Sequence, residues 1–151
     1  MRGKAHSAET KARLSEVKRE QYRQGKVRVR RYKLSAAEKA IAAFLTAEGF
    51  NIKQQFHIRG VPFLYDIFLP DLNLLIEYQG DYWHANPRKY PPGTTLNIFG
   101  KGPVQVDHIW ARDAEKREAA VQAGYRVAYV WETDYQRDGL EAIRCILQEQ
   151  G

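Results

Sequence analysis

The sequence predicts a mixed α/β domain, a central sheet flanked by helices, preceded by a basic N-terminal arm. Three observations carry this. Helical and strand periodicities follow one another along residues 34–148 in the order helix, three strands, loop, helix, strand, helix. Two short apolar runs, FLYDIFL and NLLIEY, flank a Pro70-Asp71 turn and form a hairpin. Charge is segregated: residues 1–33 hold 12 Lys/Arg against 3 Asp/Glu, a net of +9, while all 151 residues together carry +6. The remainder is therefore mildly acidic, and the arm points to a polyanionic partner.

Residues 1–33 have too few apolar side chains to build a core. Ser7 or Thr10 caps a short helix that Gly25 ends. A segment with Lys, Arg, Tyr and Gln interleaved suits either a solvated tail or a strap along a phosphate backbone. Domain composition begins at residue 34. Ser35 and Glu38 have the spacing of a capping box, opening a helix that runs to about Glu48 and buries Ile41, Phe44 and Leu45.

Residues 50–58 alternate as a strand, with Phe50, Ile52, Gln54, Phe56 and Ile58 on one face. The hairpin follows. Residues 81–107, with four prolines, read as a long loop, which is uncommon in a compact domain unless it acts. Its Tyr82, Trp83, His84, Arg88, Lys89, Tyr90 and Lys101 mix aromatics with bases, suiting nucleobase stacking and phosphate contact. Residues 107–123 form a helix with Ile109, Trp110, Ala114, Ala120 and Val121 inward. On it Asp113 and Lys116 lie one turn apart, the spacing of a surface ion pair. Residues 125–131 form an apolar strand of the kind found at a sheet centre. Leu140, Ile143, Ile146 and Leu147 close the chain at helical spacing.

The single cysteine, Cys145, reads as a buried small hydrophobe. One cysteine excludes an internal disulfide and any multi-cysteine zinc site. No secretory segment or membrane-length apolar run is present, so a soluble cytoplasmic protein is expected.

The hairpin carries the chemistry. Asp66 and Glu77 are symmetric about its turn, so they fall opposite each other, with Cβ atoms about 5 Å apart. Like charges there are destabilising. Either a divalent cation binds both carboxylates, or a register shifted by one turns one of them to solvent. Glu38 also has two roles open to it: helix cap, or a carboxylate projecting towards the hairpin.

A helix, a strand with Asp66, a strand with Glu77 two residues before Gln79, then a helix and a strand is the order of the PD-(D/E)XK, or restriction-endonuclease-like, core. Gln79 stands where that superfamily has Lys. Asp66 followed by Tyr78-Gln79-Gly80-Asp81-Tyr82-Trp83-His84, with Arg112-Asp113 and Gly124-Tyr125-Arg126-Val127 through Trp131-Glu132, resembles the very-short-patch repair endonucleases. This resemblance implies Asp66 as central metal ligand, the Tyr78 carbonyl as a second, and His84 as general acid–base. It makes Glu38 the carboxylate acting on metal-bound water. Gln79 replaces one of that family's histidines, and the family's structural zinc site is missing. The segment from Gly3 to Lys11, with Lys4, His6, Ser7, Thr10 and Lys11, is similar to a modular DNA-binding repeat of phage-intron endonucleases.

Together the halves resemble the EDxHD homing endonucleases, with Glu38, Asp66, Gln79, His84 and Asp113 in the lettered positions. The resemblance implies a DNA-binding arm over 1–33 and a nuclease domain over 34–151. It implies a site-specific endonuclease acting on double-stranded DNA with Mg²⁺ or Mn²⁺, in a phage-infected or bacterial cell. A symmetric double-strand cut would take a homodimer. The expected DNA contacts are Lys4, His6, Ser7, Thr10, Lys11, Arg28, Arg30 and Arg31 of the arm, and Trp83, Arg88 and Lys89 of the loop. Two alternatives remain: a mismatch- or structure-specific repair nuclease, and a non-catalytic DNA-binding protein on a nuclease fold.

Overall fold

The computed structural model describes residues 6–26 and 29–150. Helix α1 (Ala8–Arg23) is capped by Ser7, whose hydroxyl accepts from the Thr10 N–H at 3.2 Å. None of its residues is buried, as its charged faces dictate. It meets the rest of the molecule through an exposed Arg19–Glu115 pair at 3.4 Å. Residues 29–35 have no regular structure. Helix α2 (Ala36–Ala47) then opens on the capping box: Ser35 Oγ accepts from the Glu38 N–H, and Glu38 Oε2 accepts from the Ser35 N–H at 2.8 Å.

Strands β1 (Lys53–His57), β2 (Leu64–Leu69) and β3 (Leu74–Gln79) form an antiparallel meander. A short 3₁₀ turn, Pro70–Leu72, joins the last two, with Asn73 in the left-handed region. Strands β4 (Thr95–Ile98) and β5 (Gly102–Gln105) make a separate two-stranded hairpin. Helix α3 (Val106–Gln122) leads to β6 (Arg126–Trp131), which pairs parallel to β3. Helices α4 (Glu132–Asp138) and α5 (Glu141–Gln150) end the chain. The sheet order is β1-β2-β3-β6.

The sheet is a middle layer. On one face, Ile67, Leu69, Leu74, Ile76 and Val130 pack with Ile41 and Leu45 of α2 and Ile143 of α5. On the other, Tyr65, Phe68 and Leu75 pack with Ile58 and with Ala120 of α3. The mixed α/β architecture expected from the periodicities is therefore what forms.

Several expectations are corrected. Residues 50–58 do not keep one face: Phe50 and Ile52 join the α2 side, whereas Phe56 joins the α3 side with Ile58. The switch falls at Gln55, whose φ of +48° breaks the alternation. The long loop contains β4 and β5. Strand β6 is an edge strand of the four-stranded sheet; it is apolar because α3 covers one face and α5 the other. On α3, Ala114 and Val121 are exposed, and the inward side carries Lys116 instead, because it faces carboxylates. Cys145 is exposed, since the buried side of α5 is set by Ile143. Among the described residues no helix is long and apolar enough to cross a membrane.

Candidate functional site

The hairpin register places Ile67 against Ile76, so Asp66 and Glu77 face each other one step further along. Both are buried, at 7% and 4% exposure. Without water, each carboxylate oxygen needs a protein donor. Glu77 Oε1 accepts from the Asp66 N–H at 2.9 Å, and Asp66 Oδ2 accepts from the Tyr78 N–H at 2.8 Å. These side chains take main-chain donors that a ladder would use, and regular β2–β3 pairing ends at Ile67–Ile76. Glu77 Oε2 pairs with Lys116 Nζ at 2.6 Å, and Asp66 Oδ1 accepts from the Tyr32 hydroxyl.

Burial is the largest influence on Asp66, followed by the Glu77 charge. Against the pull of Tyr32 and Lys116, they push its carboxyl up to about 7. Burial likewise pushes Glu77 up, with Lys116 opposing. The Tyr32 hydroxyl is raised above its ordinary range by burial and by Asp66, so it remains a donor. Two carboxylates and one ammonium in a dry place leave the site short of positive charge.

Glu38 takes the first of its two roles, the helix cap. Oε2 closes the capping box, while Oε1 is buried with no hydrogen-bond partner among the described residues. Its charge acts on both Asp66 and Tyr32. Among the described residues no three His, Cys, Asp or Glu side chains form a ready-made cage. The side-chain donor set is two hard carboxylates and an orphaned Glu38 oxygen. That fits a hard divalent ion such as Mg²⁺ or Mn²⁺, which keeps several waters and takes further oxygens from a phosphate.

His84, in the turn after β3, is linked to this pair through Asp113, whose charge acts on Glu77. Its Nδ1 is 2.9 Å from Asp113 Oδ2 of α3. An ionised carboxylate accepts only, so the proton sits on Nδ1, and Nε2 has no hydrogen-bond partner among the described residues. Gln79, 4% exposed, has its Oε1 without a partner among the described residues. It shares a cavity of about 260 Å³ with His84, Asp113, Tyr129 and Trp131.

Asp113 and Lys116 thus share a helix face without pairing together: one turns to His84, the other to Glu77. Arg88 makes two bonds of 2.9 Å to Asp134, and Lys89 lies 2.8 Å from Asp81, so both expected loop contacts are engaged within the protein. Trp83 is 55% exposed, edge-on to Tyr82. His6, Ser7, Thr10, Lys11, Arg30 and Arg31 are exposed, with the Ser7 and Thr10 hydroxyls bonded to each other. Lys4 and Arg28 lie outside the described residues.

Sequence reasoning missed two residues of this site. Lys116 carried a signal in its spacing from Asp113, which puts both on one helix face. Tyr32 carried none, because its contact spans 34 positions from a segment without periodicity.

No family model matches the chain. Over 106 residues it is 27% identical to the type II nicking enzyme V.XorIIP of Xanthomonas oryzae pv. oryzae, an alignment covering 69% of this chain and 74% of that protein. The chain is thus distantly similar to a nicking enzyme.

Proposed function

We propose that the chain is a DNA endonuclease that hydrolyses phosphodiester bonds with Mg²⁺ or Mn²⁺ at the Asp66–Glu77 pair. One observation carries the reading: two buried, opposed carboxylates with a deficit of positive charge, linked through the charge of Asp113 to the histidine that Asp113 orients. The likeness to a nicking enzyme supports it. The fold is read as a PD-(D/E)XK core in which Gln79 has replaced the lysine.

Asp66 and Glu77, with the Tyr78 carbonyl, would hold the ion. Bound there, it would polarise the phosphoryl oxygens and acidify a water. His84 Nε2 exchanges a proton with the attacking water or the leaving oxygen, and Asp113 holds the ring for it. Lys116 neutralises Glu77, partly replacing the charge absent at Gln79. Residues 1–33 form a DNA-binding arm on a nuclease domain of residues 34–151. The arm's Lys and Arg supply salt-dependent affinity for the backbone, and with it the placement of a site-specific, homing-type enzyme. One site per chain cuts one strand, so nicking is the expected product and a double-strand cut takes two chains.

Supercoiled plasmid carrying candidate targets, incubated with Mg²⁺, tests this. Open circles ahead of linear DNA are expected, with chelator and Asp66→Asn both preventing them. Nick positions clustered at one sequence support the homing reading; nicks that follow mismatches support the repair reading. Intact plasmid with retained DNA binding leaves the non-catalytic reading.

A further inference from the structure

We propose that Tyr32 holds the place of the cation at Asp66 and gives it up when the basic arm engages DNA. The inference rests on the nuclease reading above. All four oxygens of the Asp66–Glu77 pair have donors in the free protein. Two of these donors are main-chain N–H groups locked in the sheet. A third is Lys116, on a helix anchored where the Tyr65 hydroxyl donates to the Lys116 carbonyl at 2.7 Å. Only Tyr32 comes from a segment without regular structure. A cation reaching Asp66 Oδ1 therefore has one donor it can replace.

The segment is held from beneath as well as by its hydroxyl. Buried Gln55 donates its side-chain amide to the Tyr32 carbonyl. Gln55 does so from a backbone with φ +48°, a conformation that costs a non-glycine residue free energy and so marks a position held by its surroundings. Either side of Tyr32, Arg30, Arg31 and Lys33 are exposed, without an ion-pair partner among the described residues. A phosphate backbone that draws these three cations outward pulls on the same short segment that carries the hydroxyl. DNA and cation are then coupled: the free protein resists the ion, and the DNA-bound protein accepts it. Coupling of this kind is reciprocal, so the ion must also loosen the arm.

The test uses the full chain and no DNA. Mn²⁺ binding is measured by the loss of the free-ion electron paramagnetic resonance signal in wild type and Tyr32→Phe. The variant should bind about tenfold more tightly or better, since it has lost a hydrogen bond to a charged group that competes with the ion. In wild type alone, saturating Mn²⁺ should speed tryptic cleavage after Arg30, Arg31 and Lys33 severalfold. In Tyr32→Phe the same sites should be cut quickly with or without the ion. Equal Mn²⁺ affinities with metal-insensitive proteolysis overturn the proposal and leave the nuclease reading standing. Weaker binding by Tyr32→Phe overturns it too, making the hydroxyl part of the seat. Failure of both proteins to bind Mn²⁺ removes the metal reading and this inference with it.

Discussion

Asp66 and Asp81 are both buried, at 7% and 3% exposure, yet their charges are held in opposite ways. Burial works to raise Asp81, but the Lys89 ammonium, the Thr133 hydroxyl and the Asn86 amide outweigh it and pull its carboxyl down to about 2. It is a latch, tying the turn after β3 to α4. Asp66 meets Glu77 and has two hydrogen bonds, and is pushed up to about 7. Burial alone therefore does not mark a working carboxylate. What sets Asp66 apart is the neighbouring Glu77 charge and the shortage of positive charge, and on that ground we propose it as the seat of a cation.

The sharpest way to break this contrast is to neutralise each aspartate. Asp66→Asn should abolish plasmid cleavage, yet raise the metal-free melting temperature at pH 8, because it removes a buried charge repelled by Glu77. Asp81→Asn should lower the melting temperature, by about 1–3 kcal/mol of stability, with cleavage falling only as far as the folded fraction does. If both substitutions destabilise, the distinction is lost.

His84→Ala should reduce single-turnover cleavage by roughly 10²–10⁴ without loss of Mn²⁺ binding. Asp113→Asn should act in the same direction and less strongly, since it only frees the ring. A His84→Ala protein that fails to fold would make the histidine a structural one.

Lys116→Met sharpens the contrast from the other side. It leaves Glu77 buried without its ammonium, at a cost of about 3–5 kcal/mol in urea unfolding at pH 8. The cost should shrink in acid, where Glu77 takes a proton. A loss independent of pH would mean that Lys116 matters for packing on Tyr65, whose ring it covers at 5.0 Å, and not for charge.

The smallest effect is expected at the arm. Arg30→Ala with Arg31→Ala should leave the melting temperature alone and flatten the slope of log K against log salt for DNA by roughly 2. An unchanged slope would place these side chains away from phosphate.

Much of the hairpin was legible in the sequence, because Asp66 and Glu77 stand symmetrically about a Pro70-Asp71 turn that needs no tertiary information. The Ser35–Glu38 cap was legible for the same reason. What escaped was set by distant contacts. The edge position of β6 depends on a parallel crossover through α3, and the face switch at Gln55 depends on a backbone conformation that periodicity does not encode. The β4–β5 hairpin hid among prolines and glycines that read as loop. Tyr32 and Lys116 reach the carboxylates from 34 and 39 positions away. No local pattern announces the Tyr32 contact, and the spacing of Lys116 from Asp113 shows only which helix face it shares. A buried like-charge pair does announce that positive charge must be supplied, and Lys116 supplies part of it.

The central claim is that burial beside Glu77 makes the ionised form of Asp66 costly in the folded chain, and that a bound cation removes this cost. A carboxyl raised to about 7 keeps its proton in the folded state where the unfolded chain has lost it. Its stabilising contribution is therefore present at low pH and is lost as pH rises from about 4 to about 7. The direct measurement is melting temperature against pH, with and without millimolar Mg²⁺, for wild type and Asp66→Asn. Wild type should lose stability across that window relative to Asp66→Asn, and Mg²⁺ should restore it above pH 7 in wild type alone. Parallel curves for the two proteins, both indifferent to Mg²⁺, would contradict the claim.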